Sequence, residues 1–315
     1  MKKIITIIIC LGLGVIIILD SSGIRAAAVD GIQLSLNTIV PSLFAFLALS
    51  VFVMSSGIIK GDLAVFILSM AGGYPIGAKL LSDSAVKNPA YKKRAEHMMM
   101  YCFCGSPALL VAITDFGLYI WLSNVIACII FAALANIRRQ SCALRNEHSR
   151  QTESQTYNLD GSLVRAVTAA GGALYRICLM VVLFAIALRI LEFTGVMKFL
   201  PECLLPILEI TTLTDINANP ALIAALTSLG GVCVVFQIRA ITGKTLCLNK
   251  FLLARIPIAA LSAAICWVFT RNIAVETIAS PRTAISSSGS VTASACLMIM
   301  TLMLMKTVHN RETNT

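Results

Sequence analysis

The sequence predicts an all-α, polytopic helical membrane protein with two related halves and discontinuous or re-entrant helices. Of its 315 residues, 58% are hydrophobic and only 13% charged, far more apolar surface than a soluble domain of this size needs for a core. The mean hydropathy of +0.87 belongs to the whole chain and not to one anchor, because the charged residues fall mostly between long apolar runs. In each half a short apolar segment is interrupted by paired glycines, Gly72-Gly73 and Gly230-Gly231.

The elements follow in order. Lys2 and Lys3 precede an apolar run, Ile4 to Leu19, read as a retained membrane helix within an amino-terminal unit, 1–25, whose start faces the cytoplasm. The first membrane half, 26–137, opens with a semi-polar stretch that meets Pro41 and an apolar run ending at Ser55-Ser56-Gly57. That run is too short to cross alone, so the preceding stretch must contribute, with Pro41 as a kink or junction. Leu63 to Met70 is interrupted by Ala71-Gly72-Gly73-Tyr74-Pro75-Ile76-Gly77 and resumes briefly as Ala78 to Leu81. Adjacent glycines and a proline oppose a continuous helix, so this reads as a broken or re-entrant segment. Residues 79–97, with Lys79, Lys87, Lys92, Lys93 and Arg94, are expected to form a cytoplasmic loop. Met98 to Ile113 is interrupted at Gly105-Ser106-Pro107, and Phe116 to Ile137 is a conventional span.

The polar stretch 138–162 is expected to be a cytoplasmic linker between the halves. The second membrane half, 163–270, holds a long span, Leu163 to Phe193, with Arg176 and Arg189, then a proline-punctuated piece, Val196 to Ile210. Ala221 to Leu229 follows, broken at Gly230-Gly231 and resumed as Val232 to Ile238 with Gln237, and Lys250 to Phe269 is the next span. Residues 271–315 are expected to be a polar loop, a last short membrane helix and a tail. In this half Arg239, Lys244 and Lys250 nearly balance Arg271 and Arg282, so the positive-inside signal leaves its orientation open.

The net charge of +10 comes from scattered basic residues, with no stripe interleaved with aromatics, so nucleic acid is not expected as a partner. The lipid bilayer is. Eleven cysteines lie mostly in apolar runs without CxxC spacing and read as small packing groups; Cys102-Phe103-Cys104 beside His97 lacks the further ligands a metal site needs. No metal or cofactor is expected. No P-loop, GxSxG, HExxH or paired intramembrane carboxylate is present, so no catalytic residue is assigned and the chain is not expected to be an enzyme.

The paired breaks point to a binding site. Where a membrane helix breaks, its freed backbone groups survive only against protein or a water-filled cavity, and half-helix ends suit polar ligands at mid-depth. One glycine pair alone serves close helix packing; the recurrence in both halves is what favours a cavity. The candidate solute-binding residues are Gly72, Gly73, Tyr74, Pro75, Gly77 and Lys79 in the first half and Gly230, Gly231 and Gln237 in the second. Lys79 could meet an anionic ligand or sit at the cytoplasmic interface.

Several of these stretches carry a resemblance. Ser69-Met70-Ala71-Gly72-Gly73-Tyr74-Pro75-Ile76-Gly77-Ala78-Lys79 resembles the YlbJ-type sporulation integral membrane proteins, a branch of the nucleoside-recognition (Gate) membrane domains. Pro41-Ser42-Leu43-Phe44, the stretch from Ala95-Glu96 to Gly105-Ser106-Pro107, Leu208-Glu209-Ile210-Thr211 and Ser228 through Gln237 are similar to other parts of that family's pattern, over about residues 25 to 270. The resemblance implies a multi-pass protein in a membrane of the sporulating cell, carrying or sensing a nucleoside-like solute in support of spore envelope or cortex formation. The alternative is a non-transporting membrane scaffold for envelope assembly, with spore envelope proteins or a second copy of the chain as partners.

Overall fold

The computed structural model describes residues 2–55, 61–142, 159–199, 205–210, 213 and 218–271, and the structural statements below concern these. All regular structure among them is helical. In chain order the helices are α1 (Lys2–Leu19), α2 (Ser21–Leu34), a π-helical turn (Ser35–Ile39), α3 (Val40–Ser55), α4 (Asp62–Gly72), α5 (Tyr74–Lys87), a 3₁₀ turn (Pro89–Tyr91), α6 (Lys92–Met98), α7 (Pro107–Ile113) and α8 (Gly117–Cys142). There follow α9 (Leu159–Phe193), a 3₁₀ turn (Val196–Phe199), α10 (Leu205–Leu208), α11 (Pro220–Leu229), α12 (Val232–Thr242) and α13 (Asn249–Thr270).

Four segments are long and apolar enough to cross a membrane: Gly117–Ile137, Leu163–Phe193, Pro220–Thr242 and Asn249–Thr270. Helix α1 and the α2 and π-helical stretch are apolar enough only when taken together and are bent by 93° at their junction, the form of a broken span or a re-entrant loop. Leu11, Ile18, Leu134, Val164, Leu253 and Ile256 are more than half exposed, an outward apolar surface that suits lipid and is disfavoured in water. This is an all-α, multi-pass membrane protein.

Two long helical stretches run antiparallel. Arg189 near the end of α9 donates to Asp20 at the start of α2 over 2.7 Å, and a Cβ on Gly31 would lie 3.0 Å from Val182 Cα, so small residues let α2 close on α9. Pro41 is the junction expected, realised as the π turn immediately before it. Proline cannot donate a backbone hydrogen bond and crowds the preceding turn, which a wider turn relieves without ending the helix.

One end of the molecule collects the basic loops. The Tyr91 hydroxyl donates to Asp62 Oδ1 over 2.7 Å, Arg94 pairs with the other Asp62 oxygen, His97 contacts Asn136 of α8 at 3.3 Å, and the Cys247 amide donates to Glu96 Oε1 over 3.1 Å. The turn with Lys244 therefore lies at the same end as Lys87, Lys92, Lys93 and Arg94. The orientation that charge counting leaves open in the second half is tied to the first by this contact. Because Tyr91, just past α5, touches Asp62, the first residue of α4, those two helices enter and leave at one end. Helices of 11 and 14 residues laid end to end would hold these points about 35 Å apart.

Three expectations need correction. Residues 79–87 are helix and not loop: the break is confined to Gly73, and Pro75 occupies the first turn of α5, where a missing N–H costs nothing. The linker is shorter than 138–162, since α8 continues to Cys142 and α9 starts at Leu159. Between Met98 and Ile113 only α7 is helical in the second part; residues 99–106 form a buried irregular stretch. The expected last membrane helix and tail, beyond Arg271, lie outside the described residues.

Candidate functional site

Both paired-glycine positions are breaks. Gly73 separates α4 from α5 at φ +86°, and Gly230 leaves α11 at φ +68° with Gly231 completing the gap before α12. Positive φ is open to glycine at no steric cost and strained for other residues. The chain closes each first half-helix in the same way, the Gly73 amide donating to Ser69 O over 2.9 Å and the Gly230 amide to Leu226 O over 3.0 Å.

The carbonyls freed at each break have a dedicated side-chain donor. At the first, Trp121 Nε1 of α8 donates to Met70 O over 3.1 Å. At the second, Arg255 of α13 reaches Ser228 O at 3.4 Å through Nη1, which also donates to Phe103 O over 2.7 Å, while Nη2 donates to Met100 O over 2.7 Å. One guanidinium, 2% exposed, thus ties the second break to the irregular 99–106 stretch that backs the first. Its plane also lies 5.0 Å from the Phe251 ring, a cation–π contact. Sequence reasoning missed Arg255; the signal was an arginine well inside the apolar run Lys250 to Phe269.

The two breaks meet. A Cβ on Gly230 would lie 3.5 Å from the Tyr74 ring, one on Gly73 would lie 3.1 Å from the Ser106 amide, and one on Gly77 would lie 2.7 Å from Cys102 O. Gly231 abuts Pro206 O at 2.9 Å by the same measure. Gly72 and Pro75 are buried beside this junction. Three side-chain atoms there, Tyr74 Oη, Ser228 Oγ and Arg255 Nε, are buried without a hydrogen-bond partner. A buried polar ladder joins three helices: Asn124 of α8 donates to Thr227 Oγ1 of α11 over 3.2 Å, and the Ser262 hydroxyl of α13 donates to Asn124 Oδ1.

Two predicted residues lie elsewhere. Gln237 donates to Cys233 Sγ one turn back on its own helix at 3.3 Å and is not at the junction. Cys233 also contacts Glu209, a carboxylate 6% exposed at the amino-terminal end of α12, where the helix dipole favours negative charge. Glu209 was quoted in the sequence motif and assigned no role. Lys79, on α5 past the break, pairs with Asp83 at 2.8 Å and lines a cleft of about 190 Å³ with Thr168, Gly172, Arg176 and Ile241. The half-helices that leave the two breaks, α5 and α12, wall this cleft with α9.

No group of three or more His, Cys, Asp or Glu that could hold a metal ion occurs among the described residues. Cys104 Sγ faces Met70 O at 3.6 Å and Cys128 Sγ faces Phe103 O at 3.6 Å, so these thiols pack and bond within the core. His97 lies edge-on to Tyr101.

Fold and site together define a multi-pass helical membrane protein whose two broken helices converge on one another. No family model, curated protein or solved structure matches the chain.

Proposed function

We propose that this protein transports or senses a small polar solute, with α5 and α12 hinging at Gly73 and Gly230. The observation that carries the reading is the convergence of the breaks: Tyr74 packs on Gly230, with Tyr74 Oη, Ser228 Oγ and Arg255 Nε left without partners. Unsatisfied polar groups in a low-dielectric interior are costly, and broken helices meeting near mid-membrane are a common architecture for solute sites. In this arrangement the Tyr74–Gly230 contact closes the path, and swinging either half-helix would open it. No covalent chemistry is part of the reading.

The resemblance adds the setting: a cell membrane of a sporulating bacterium, a nucleoside-like solute, and support of spore envelope or cortex formation. The positive-inside rule places the basic end in the cytoplasm. A thermal-shift screen of the detergent-solubilised protein against nucleosides, amino acids and cell-wall precursors tests the reading, because selective binding stabilises the native state. Stabilisation by one class, lost in Gly231→Leu while that variant still inserts, is the expected result. Wild-type binding in both Gly73→Leu and Gly231→Leu removes the junction from the site.

The tightness of the junction favours a second reading, a non-transporting scaffold for envelope assembly. It expects no solute-dependent shift, and a stronger effect from changes in 138–162 than from changes at the breaks.

A further inference from the structure

Arg176 lies inside the 31-residue apolar segment Leu163–Phe193, where an arginine is costly unless it is paired or reaches an interface or a water-filled cavity. Such a residue needs compensation. Its Nη1 donates to the backbone carbonyl of Ala240 over 3.0 Å. Among the described residues no carboxylate pairs with it, whereas Arg189 on the same helix has two, Asp20 and Glu192. The guanidinium carries five donors in a fixed fork; Nη1 is engaged by Ala240 O, and the residue is exposed and lines the cleft.

The same cleft holds Lys79, whose ammonium is occupied by Asp83 one turn further along α5. That order, cation before anion along the helix, opposes the helix dipole and is the weaker arrangement of an i,i+4 pair. Two cations against one carboxylate leave the cleft with one uncompensated positive charge. Thr168 adds a hydroxyl, and Gly172 keeps the α9 wall open, with nothing within 4 Å of where its Cβ would stand. A volume of about 190 Å³ lies below the ~300 Å³ at which pockets for drug-sized molecules begin, and suits a small anionic group.

We propose that the cleft between α5, α9 and α12 binds a carboxylate or phosphate group, held by the Arg176 fork with Lys79 as the second cation. The inference rests on the solute reading above and sharpens it: the solute is an anion, taken up beside the half-helices that leave the breaks. The group belongs either to a free small molecule or to an anionic lipid headgroup, which share this chemistry.

The test is a thermal-shift titration of the full-length protein in detergent with inorganic phosphate and with acetate at constant ionic strength. A second arm compares phosphatidylcholine nanodiscs with and without phosphatidylglycerol. A saturable shift with the free anions assigns a small solute, and one confined to phosphatidylglycerol assigns a headgroup. In either arm Arg176→Gln should weaken half-saturation about tenfold or more, the loss of one charge-assisted contact. Arg176→Lys should fall between it and wild type, and Arg165→Gln, elsewhere on α9, should change nothing. Equal shifts in wild type and a folded Arg176→Gln variant, or no shift with any anion, overturn the proposal. Stabilisation by an uncharged solute that Gly231→Leu abolishes and Arg176→Gln leaves intact overturns the anion inference alone and keeps the solute reading. Failure of every charged and uncharged probe removes both.

Discussion

The two helix breaks begin from the same sequence sign and end in different structures. At Gly73 the chain doubles back: α4 and α5 pack on each other, and Tyr91 and Arg94 close the mouth of the hairpin on Asp62. At Gly230-Gly231 the chain goes on: α11 packs on α13 and α8, α12 packs on α5 and α9, and Pro220–Thr242 makes one crossing-length segment. A third glycine pair, Gly171-Gly172, sits inside α9 and breaks nothing. A glycine pair lowers the cost of a break without requiring one. At the two that break, tertiary donors, Trp121 and Arg255, meet freed carbonyls; Gly171 stays within a continuous helix, and a Cβ there would stand in open space.

The sharpest way to break this comparison is sidedness. In a cysteine-free background, an impermeant maleimide should label Leu63→Cys and Lys87→Cys from the same face of sealed vesicles. Ala218→Cys and Lys244→Cys should label from opposite faces. The reverse pattern at either pair sinks the contrast between hairpin and crossing.

Next in size is Arg255→Met, which strips the donor from Met100, Phe103 and Ser228 carbonyls in the interior. It should cost ~3 kcal/mol or more, read as a fall in thermal midpoint. Arg255→Lys should recover part of it, because an ammonium keeps the charge without the fork. A loss under ~1 kcal/mol would mean the guanidinium does not hold the breaks together.

Alanine at the three glycine pairs grades the comparison. Gly73→Ala meets a positive φ and the Ser106 amide at 3.1 Å, so it should cost ~2 kcal/mol. Gly230→Ala meets the positive φ with ordinary contacts and should cost ~1 kcal/mol. Gly171→Ala, in open space within a helix, should stabilise by ~0.5–1 kcal/mol. Equal effects at all three would show that local backbone conformation does not distinguish them.

At the mouth of the hairpin the expected effect depends on pH. Burial first, and the hydrogen bond to Asp62 second, push the Tyr91 phenol above its ordinary value of 10.0. The folded state holds this proton more tightly than the unfolded chain. Its contribution is therefore complete below about pH 10 and is lost as the pH rises through the folded value. Tyr91→Phe should cost ~1 kcal/mol at neutral pH and should flatten the alkaline fall of the thermal midpoint. An unchanged alkaline slope would detach Tyr91 from the hairpin closure.

Both helix breaks were legible before any coordinates. Two glycine pairs with short flanking apolar runs marked both breaks, and Lys79 was read as meeting an anionic ligand or sitting at the cytoplasmic interface. Pro75 misled, because proline opposes a helix interior yet suits a first turn, and the chain alone does not say which position it will take. Gln237 misled in another way: polar atoms next to a break suggest a lining role, but its amide is absorbed by Cys233. Trp121 and Asn124 were invisible as site residues, and Arg255 showed only as an arginine inside an apolar run, since their roles depend on carbonyls and hydroxyls far away in the sequence.

Composition and apolar run length by themselves determined that this chain lives in a membrane as helices, because hydrocarbon forces backbone groups to be satisfied within each segment. They also determined where helices were weakest. Whether a weak point turns back, passes through or stays straight was decided only in three dimensions. The outcome depends on which distant side chains reach the freed carbonyls, and that partnership between α8, α11 and α13 is written in no local stretch of the chain.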